Sequence, residues 1–103
     1  KDILRQMSEV IELPDSLVSD EDIIVRDEYY GKAYAYPTNE ANNAIKLLAK
    51  TEGVLLDPVY TGKTMAGMLD MIKNGDLENA RDIVFLHTGG APALHPYAEY
   101  FLK

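Results

Sequence analysis

Apolar residues recur at helical spacing in four stretches of the chain, and each stretch predicts an α-helix. Pro14 stops the first pattern, and Thr38 is a favourable N-cap for the second. Gly53 and Gly75 follow the second and third patterns, as residues just past a helix end often do. We therefore predict helices over residues 2–12, from Thr38 to Gly53, from Thr61 to Asn74, and from about Leu94 to Leu102.

Three short segments between these helices are apolar or β-branched and predict strands. They are Asp22–Glu28, Val54–Leu56 and Ile83–Leu86, of which the last is continuous enough to be buried on both faces. Strands that alternate with helices of this length predict an α/β fold with parallel pairing. The 103 residues have room for one small domain, or for a piece of a larger one.

Composition and charge narrow the classes of function. The 47% hydrophobic content argues against a disordered chain, and the absence of cysteine excludes disulfides and thiolate metal sites. No apolar run approaches the ~18 residues of a membrane helix. The net charge of −7 would repel phosphate backbones, so we expect no nucleic-acid partner. Six acids between Asp15 and Glu28 predict a solvated face.

The start of the chain carries no targeting signal. It begins at Lys1 rather than Met, and no basic region followed by an apolar stretch resembles a signal peptide. We therefore expect an excised or truncated segment of an intracellular, cytoplasmic protein with no membrane partner.

Two loops follow predicted strands, at the edge where open α/β sheets bind ligands. One is Asp57–Lys63, and the other is His87–Gly90, whose glycines would let a ligand approach the backbone. Gly62-Lys63-Thr64 matches the end of a phosphate-binding P-loop. Asp57, however, stands where that motif needs a glycine and puts a carboxylate where phosphate would bind. A nucleotide site is therefore disfavoured.

Several side chains in these loops have a structural interpretation beside a functional one. Lys63 would be a candidate Schiff-base nucleophile if buried, but a first-turn lysine paired with a carboxylate such as Asp57 is favoured. His87 is predicted to be a core histidine with satisfied hydrogen bonds, and His95 a surface residue. No spacing of His, Asp and Glu predicts a metal site. Five tyrosines could stack on an aromatic ligand or offer a phenolic proton: Tyr29, Tyr30, Tyr34, Tyr36 and Tyr60.

Two long motifs resemble a known family. The run Thr51–Gly67 (TEGVLLDPVYTGKTMAG), followed by Phe85–Gly90 (FLHTGG), is similar to the family of D-cysteine desulfhydrase and 1-aminocyclopropane-1-carboxylate deaminase. The resemblance extends from about Asp22 onward. It implies a pyridoxal 5′-phosphate (PLP)-dependent enzyme of fold type II, like the tryptophan synthase β-subunit, with a three-layer α/β/α, mostly parallel sheet.

The resemblance also implies which part of such an enzyme this is. Residues 1–103 correspond to a single C-terminal segment, about a third of the family's chain, without its Schiff-base lysine or its phosphate-binding loop. Lys63 matches a family lysine that is not the Schiff-base residue. The segment alone is therefore expected to be inactive. The parent is expected to be a homodimer that acts on a small amino-acid substrate.

The resemblance implies roles for five residues. Tyr60 and Tyr34 match tyrosines on the substrate side of the active site, and they are the candidate catalytic residues. Thr88 matches the hydroxyl that faces the pyridine nitrogen of PLP, while Thr61 and Gly89 are the further candidate cofactor contacts.

The residues next to these two tyrosines differ from those that the family, or its deaminases, carry at the same positions. Ala33 and Ala35 flank Tyr34, where the family favours glycine. Deaminases of the family carry a glutamate where this chain has Thr61, and that carboxylate contacts the pyridine nitrogen and keeps it protonated. A hydroxyl partner leaves the ring a weaker electron sink, which suffices to eliminate a thiolate. The expected activity is β-elimination of D-cysteine to pyruvate, ammonia and sulfide. The alternatives are the deaminase and, from another class, a non-catalytic α/β ligand-binding domain.

Overall fold

The fold consists of helices joined by segments without regular secondary structure. The computed structural model describes residues 2–14 and 18–102. Three α-helices are present in these ranges: α1 (Asp2–Ile11), α2 (Asn39–Glu52) and α3 (Thr61–Asn74). Two 3₁₀ helices accompany them, Asp20–Asp22 and Ala91–Tyr100. Within the described ranges, no helix combines the length and apolarity needed to cross a bilayer.

The predicted ends of α2 and α3 are confirmed. Thr38 caps α2, because its Oγ1 accepts a hydrogen bond from the Ala41 amide at 3.1 Å. Gly53 ends α2 with a φ of 67°, and Gly75 ends α3 with a φ of 84°. At the end of α3 the amide of Asp76 donates to Met71 O, closing the turn as a Schellman motif does.

The core lies between α2 and α3, which pack on each other. Gly62 permits the close approach, since a methyl group there would lie 2.7 Å from Ile45 Cδ1 and 2.7 Å from Asp57 O. α1 is the predicted first helix, and none of its residues is buried. The buried apolar side chains of the core cluster are Ala44, Ile45, Leu56 and Met65.

The predicted α/β sheet is not present in the described part of the chain, where no residue has strand structure. The segments expected to form strands at residues 22–28, 54–56 and 83–86 are instead mostly without regular secondary structure, and no backbone ladder joins them. A strand needs a hydrogen-bonded neighbour, and here Leu55 O pairs with the His87 Nε2 at 3.0 Å rather than with a backbone amide. Val84, expected to be buried, is 89% exposed.

The predicted last helix also differs from the structure. Residues 91–100 form a 3₁₀ helix rather than an α-helix over 94–102. Pro96 lies inside it and has no N–H to donate to the carbonyl four residues earlier, so α-helical bonding is interrupted there. The amide of Phe101 accordingly bonds Ala98 O, three residues back, at 3.0 Å.

The acidic run is solvent-exposed, as predicted, from Asp20 to Glu28. Ser19 and Asp22 form a capping box at its 3₁₀ turn, and hydrogen bonds from the side chain and backbone of Ser19 lower the pKa of Asp22. Asp15, which the prediction included, lies outside the described residues.

Candidate active site

Tyr34 and Tyr60, the two candidate catalytic residues, are brought together by the fold although 26 positions separate them. Their hydroxyl oxygens lie 2.6 Å apart, and their rings meet edge to face with centroids 6.0 Å apart. Both side chains are exposed. The hydrogen bond with Tyr34 is the main cause that raises the pKa of Tyr60, with smaller contributions from desolvation and nearby negative charge. Tyr60 therefore holds its proton at neutral pH.

The segment that carries Tyr34 is anchored on α3. Tyr29 packs its ring where a methyl group on Gly67 would lie only 2.9 Å from Tyr29 Cδ2. Its hydroxyl donates to Asp70 Oδ2 at 2.9 Å, which is the main cause of a raised pKa for Tyr29. Lys63 Nζ donates to Tyr30 O at 2.5 Å. Two consecutive residues ahead of Tyr34 are thus fixed to the same helix.

Lys63 is a first-turn lysine, as predicted, but its predicted partner is wrong. The residue is buried, with 7% of its surface exposed, and its Nζ contacts a backbone carbonyl rather than Asp57. The Asp57 carboxylate is instead held by hydrogen bonds from the residues that follow it. Lys63 is therefore a structural tie between α3 and the tyrosine segment.

Ala35, next to Tyr34, has a backbone conformation that favours glycine. Ala35 has a φ of 57°, in the left-handed region where a side chain is disfavoured and glycine is not. A hydrogen bond from the Tyr97 hydroxyl to Ala35 O, at 2.8 Å, holds the backbone there. The tight turn beside Tyr34 is therefore formed with alanine, supported by the C-terminal 3₁₀ helix.

Tyr60 lies on a turn organised by Asp57. The Asp57 carboxylate is 1% exposed. Its Oδ2 accepts from the amides of Val59 and Tyr60 at 2.7 and 2.8 Å, and its Oδ1 accepts from the amide and hydroxyl of Thr61 at 2.9 and 2.6 Å. Burial opposes the charged form, but these hydrogen bonds prevail, and the pKa of Asp57 is lowered.

Thr61, a candidate cofactor contact, does not present its hydroxyl to the surface. Thr61 is 2% exposed, and its Oγ1 accepts from the Asp57 amide at 2.8 Å while donating to Asp57 Oδ1. Both roles of this hydroxyl are therefore taken by Asp57. A cofactor contact from this position stays a prediction, and the structure provides no free hydroxyl for it.

The loop of residues 87–90 carries the other two cofactor candidates, Thr88 and Gly89, which are both exposed. Gly89 has a φ of 100° and no neighbouring atom where a side chain would project. Gly90, at a φ of 93°, packs directly on Asp57, because a methyl group there would lie 2.7 Å from Asp57 Oδ1. The two halves of the predicted site thus meet at Asp57.

The two histidines are both exposed, which confirms the prediction for His95 and contradicts a core position for His87. The hydrogen bonds of His87 are nevertheless satisfied. Its Nδ1 accepts from the Gly89 amide at 3.0 Å, so the neutral ring carries its proton on Nε2, which donates to Leu55 O. The imidazole therefore bridges the loop and the segment that precedes Asp57.

Asp57 organises the candidate site, although the sequence predicts for it only an ion pair with Lys63 and an unfavourable charge for phosphate. A local signal was present. An aspartate followed by proline, a few residues before a helix, is a frequent acceptor for the free amides of the turn and of the helix start. The backbone amides that could cradle an external phosphate are occupied by this internal carboxylate, which agrees with the rejection of a P-loop.

These observations describe a candidate site in which the turn of the paired phenols and an exposed loop both contact the buried Asp57, and the comparisons with known proteins identify the family of the chain. The profile of the family described as pyridoxal-phosphate dependent enzyme matches residues 2–89. The chain belongs to this family.

A curated relative narrows the similarity. The chain is 42% identical, over 99 residues, to a 1-aminocyclopropane-1-carboxylate deaminase of Burkholderia vietnamiensis (strain G4 / LMG 22486). The alignment covers 96% of this chain and 29% of the relative. The chain thus spans less than a third of that relative's length.

The described residues fit the ring of PLP and not its phosphate. Thr88 and Tyr60 are exposed, and the space beside Gly89 is open. The groups that would contact the cofactor ring are the exposed Thr88 hydroxyl and the exposed Tyr60 phenol. The amides of Tyr60, Thr61 and Gly62 at the start of α3 donate to Asp57, so these three are not available to a phosphate.

Proposed function

We propose that this chain is the C-terminal segment of a PLP-dependent lyase that acts on D-cysteine or a similar β-substituted D-amino acid. The observation that carries the proposal is the hydrogen-bonded pair of Tyr34 and Tyr60, whose turn is held by the same Asp57 carboxylate on which the exposed Thr88 loop packs through Gly90. We call the proposed longer protein the complete enzyme. The three segments at residues 22–28, 54–56 and 83–86 would be strands of its sheet, and their exposed apolar side chains support this interpretation.

The cofactor, when bound, supplies an electron sink for the carbanion formed at the substrate's α-carbon. The phenols of this chain orient the substrate and hold a proton. In an O–H···O pair, the hydroxyl that accepts keeps its own hydrogen free, and this hydrogen is available to a substrate oxygen or leaving group. Because the pKa of Tyr60 is raised, Tyr60 is protonated at neutral pH and cannot abstract a proton there; its phenol O–H is the group it offers.

Two activities within the family remain candidates. The residue after Tyr60 is Thr61, not a carboxylate, and its buried hydroxyl leaves Thr88 as the exposed hydroxyl for the pyridine nitrogen. An uncharged partner favours elimination of a good leaving group, which supports the desulfhydrase. The second candidate is the cyclopropane deaminase, which is favoured by the 42% identity to a relative that carries that name.

The direct test is to purify the complete enzyme and assay both reactions. We expect cofactor absorbance near ~420 nm, typical of protein-bound PLP, and release of pyruvate and sulfide from D-cysteine. Turnover of 1-aminocyclopropane-1-carboxylate without turnover of D-cysteine would instead establish the deaminase. An enzyme without bound cofactor and without either activity would favour the non-catalytic binding domain and refute the proposal.

Lys63 is predicted not to carry the cofactor, although it is buried. Its Nζ is within hydrogen-bond distance of Tyr30 O, in a position that ties two segments together. Borohydride reduction of the complete enzyme, followed by peptide mass spectrometry, should place the cofactor label on another lysine. In a matched variant, Lys63→Met should keep that label while loosening the tyrosine segment. A label found on Lys63 itself would contradict the assignment.

A further inference from the structure

The Asp57 carboxylate contacts both halves of the predicted site without being exposed to a substrate. It is 1% exposed and accepts four hydrogen bonds, three of them from the consecutive amides of Val59, Tyr60 and Thr61. Three amides converging on one carboxylate fix the backbone of the turn at Tyr60. The direction in which the Tyr60 side chain leaves that turn is fixed with it.

The second half of the site rests on the same carboxylate. A methyl group on Gly90 would lie 2.7 Å from Asp57 Oδ1, 2.8 Å from Cγ and 3.0 Å from Cβ. Gly90 is two residues from Thr88, so the position of the Thr88 loop depends on where this carboxylate lies. His87 supports the loop from the other side through Leu55 O.

We propose that Asp57 is a positioning residue that places Tyr60 against Tyr34 and fixes the position of the Thr88 loop. The inference rests on the proposed function for the roles of Tyr60 and Thr88, but the geometry can be tested without it. A helix cap that only stabilises the fold would act on the unfolding equilibrium alone. A positioning residue also changes the phenol pair and the step that depends on it.

Asp57→Asn is the informative substitution. The amide group of asparagine must replace either Oδ1 or Oδ2, and each of these oxygens accepts from at least one backbone N–H that cannot turn into an acceptor. Whichever way the asparagine side chain is oriented, its NH₂ group therefore faces a backbone N–H, and two donors meet without an acceptor. The turn at Tyr60 has to shift to relieve the contact.

Fluorine NMR of the complete enzyme labelled with fluorotyrosine reads the pair directly, with signals assigned from Tyr→Phe variants. Tyr34 has no bond to Asp57, so its signal should move in Asp57→Asn only if the pair is broken, and should move as it does in Tyr60→Phe. Gly53→Ala is the matched control. It strains a φ of 67° with no neighbour near the new methyl group, so it should lower stability and leave the Tyr34 signal in place.

Steady-state kinetics form the second arm. Asp57→Asn should lower kcat by roughly tenfold or more in the wild-type background and by less than about threefold in Tyr60→Phe, because both changes remove the same function. Equal losses in both backgrounds, or an unmoved Tyr34 signal, would overturn the inference.

If Asp57→Asn does not fold, Thr61→Val removes the hydroxyl bonded to Oδ1 and should move the Tyr34 signal in the same direction. A wild-type enzyme without lyase activity would refute the proposed function and leave the NMR arm to decide on Asp57.

Discussion

Tyr60→Phe in the complete enzyme is expected to lower kcat by about 10²–10⁴-fold, the range typical of a general acid or base, while the cofactor stays bound. The substitution keeps the exposed ring, which can still stack on the cofactor, and removes the hydroxyl that pairs with Tyr34 at 2.6 Å. The proton held by Tyr60 is lost, and Tyr34 loses its partner. The measurement is the turnover of D-cysteine together with the cofactor's absorbance.

Tyr36→Phe is the matched control, because it makes the same chemical change two residues from Tyr34. The ring of Tyr36 lies 5.7 Å from Lys32 Nζ, and this contact does not involve the hydroxyl. The control is expected to change kcat less than about threefold, as surface substitutions away from a site do. If Tyr60→Phe behaved like Tyr36→Phe, Tyr60 would be a packing residue and not a catalytic one.

The helices could be predicted because their ends are decided locally. Thr38 supplies the cap of α2 from its own side chain, and Gly53 and Gly75 adopt the left-handed conformation that ends a helix. These interactions span three or four residues, so the sequence next to each end is sufficient to place it. Pro96 was an equally local signal, and the α-helix predicted across it was wrong because the missing N–H was not considered.

The strands could not be established in the same way, because a strand depends on a partner distant in the sequence. The apolar run at residues 83–86 has the composition of a buried strand, but within the described residues Val84 is 89% exposed and has no ladder. Composition predicts that such a segment prefers to be covered. It cannot supply the neighbouring strand or the helix that covers it.

The site was predicted through family resemblance and not through the physics of its residues. Nothing local indicates that Tyr34 and Tyr60 meet across 26 positions, nor that Gly90 packs on Asp57. The burial of individual side chains also could not be predicted from the neighbouring sequence. His87 follows an apolar run yet is exposed, and Asp57 is charged yet is almost fully buried, because hydrogen bonds offset the cost of removing its carboxylate from water.

Gly90→Ala is expected to be the most destabilising of the single methyl additions in the 87–90 loop. Alanine at a φ of 93° costs about 1–2 kcal/mol through backbone strain. The new methyl group would also lie 2.7 Å from Asp57 Oδ1, a distance that real contacts do not reach. Four hydrogen bonds hold that carboxylate, so it cannot move aside at little cost, and overpacking of this kind adds about 1–3 kcal/mol.

Gly89→Ala separates the two contributions, because Gly89 has a similar φ of 100° and no neighbouring atom within 4 Å of the new methyl group. It should show the backbone strain alone, and a smaller drop in Tm than Gly90→Ala when both are measured on the complete enzyme.

Asp57→Ala removes the carboxylate that the methyl group meets. In that background the difference between the two glycine variants should shrink, since neighbouring changes that share one contact are not additive. Equal drops for Gly89→Ala and Gly90→Ala in the wild-type background would mean that the loop does not rest on Asp57, and the coupling between the two halves of the site would lose its physical basis.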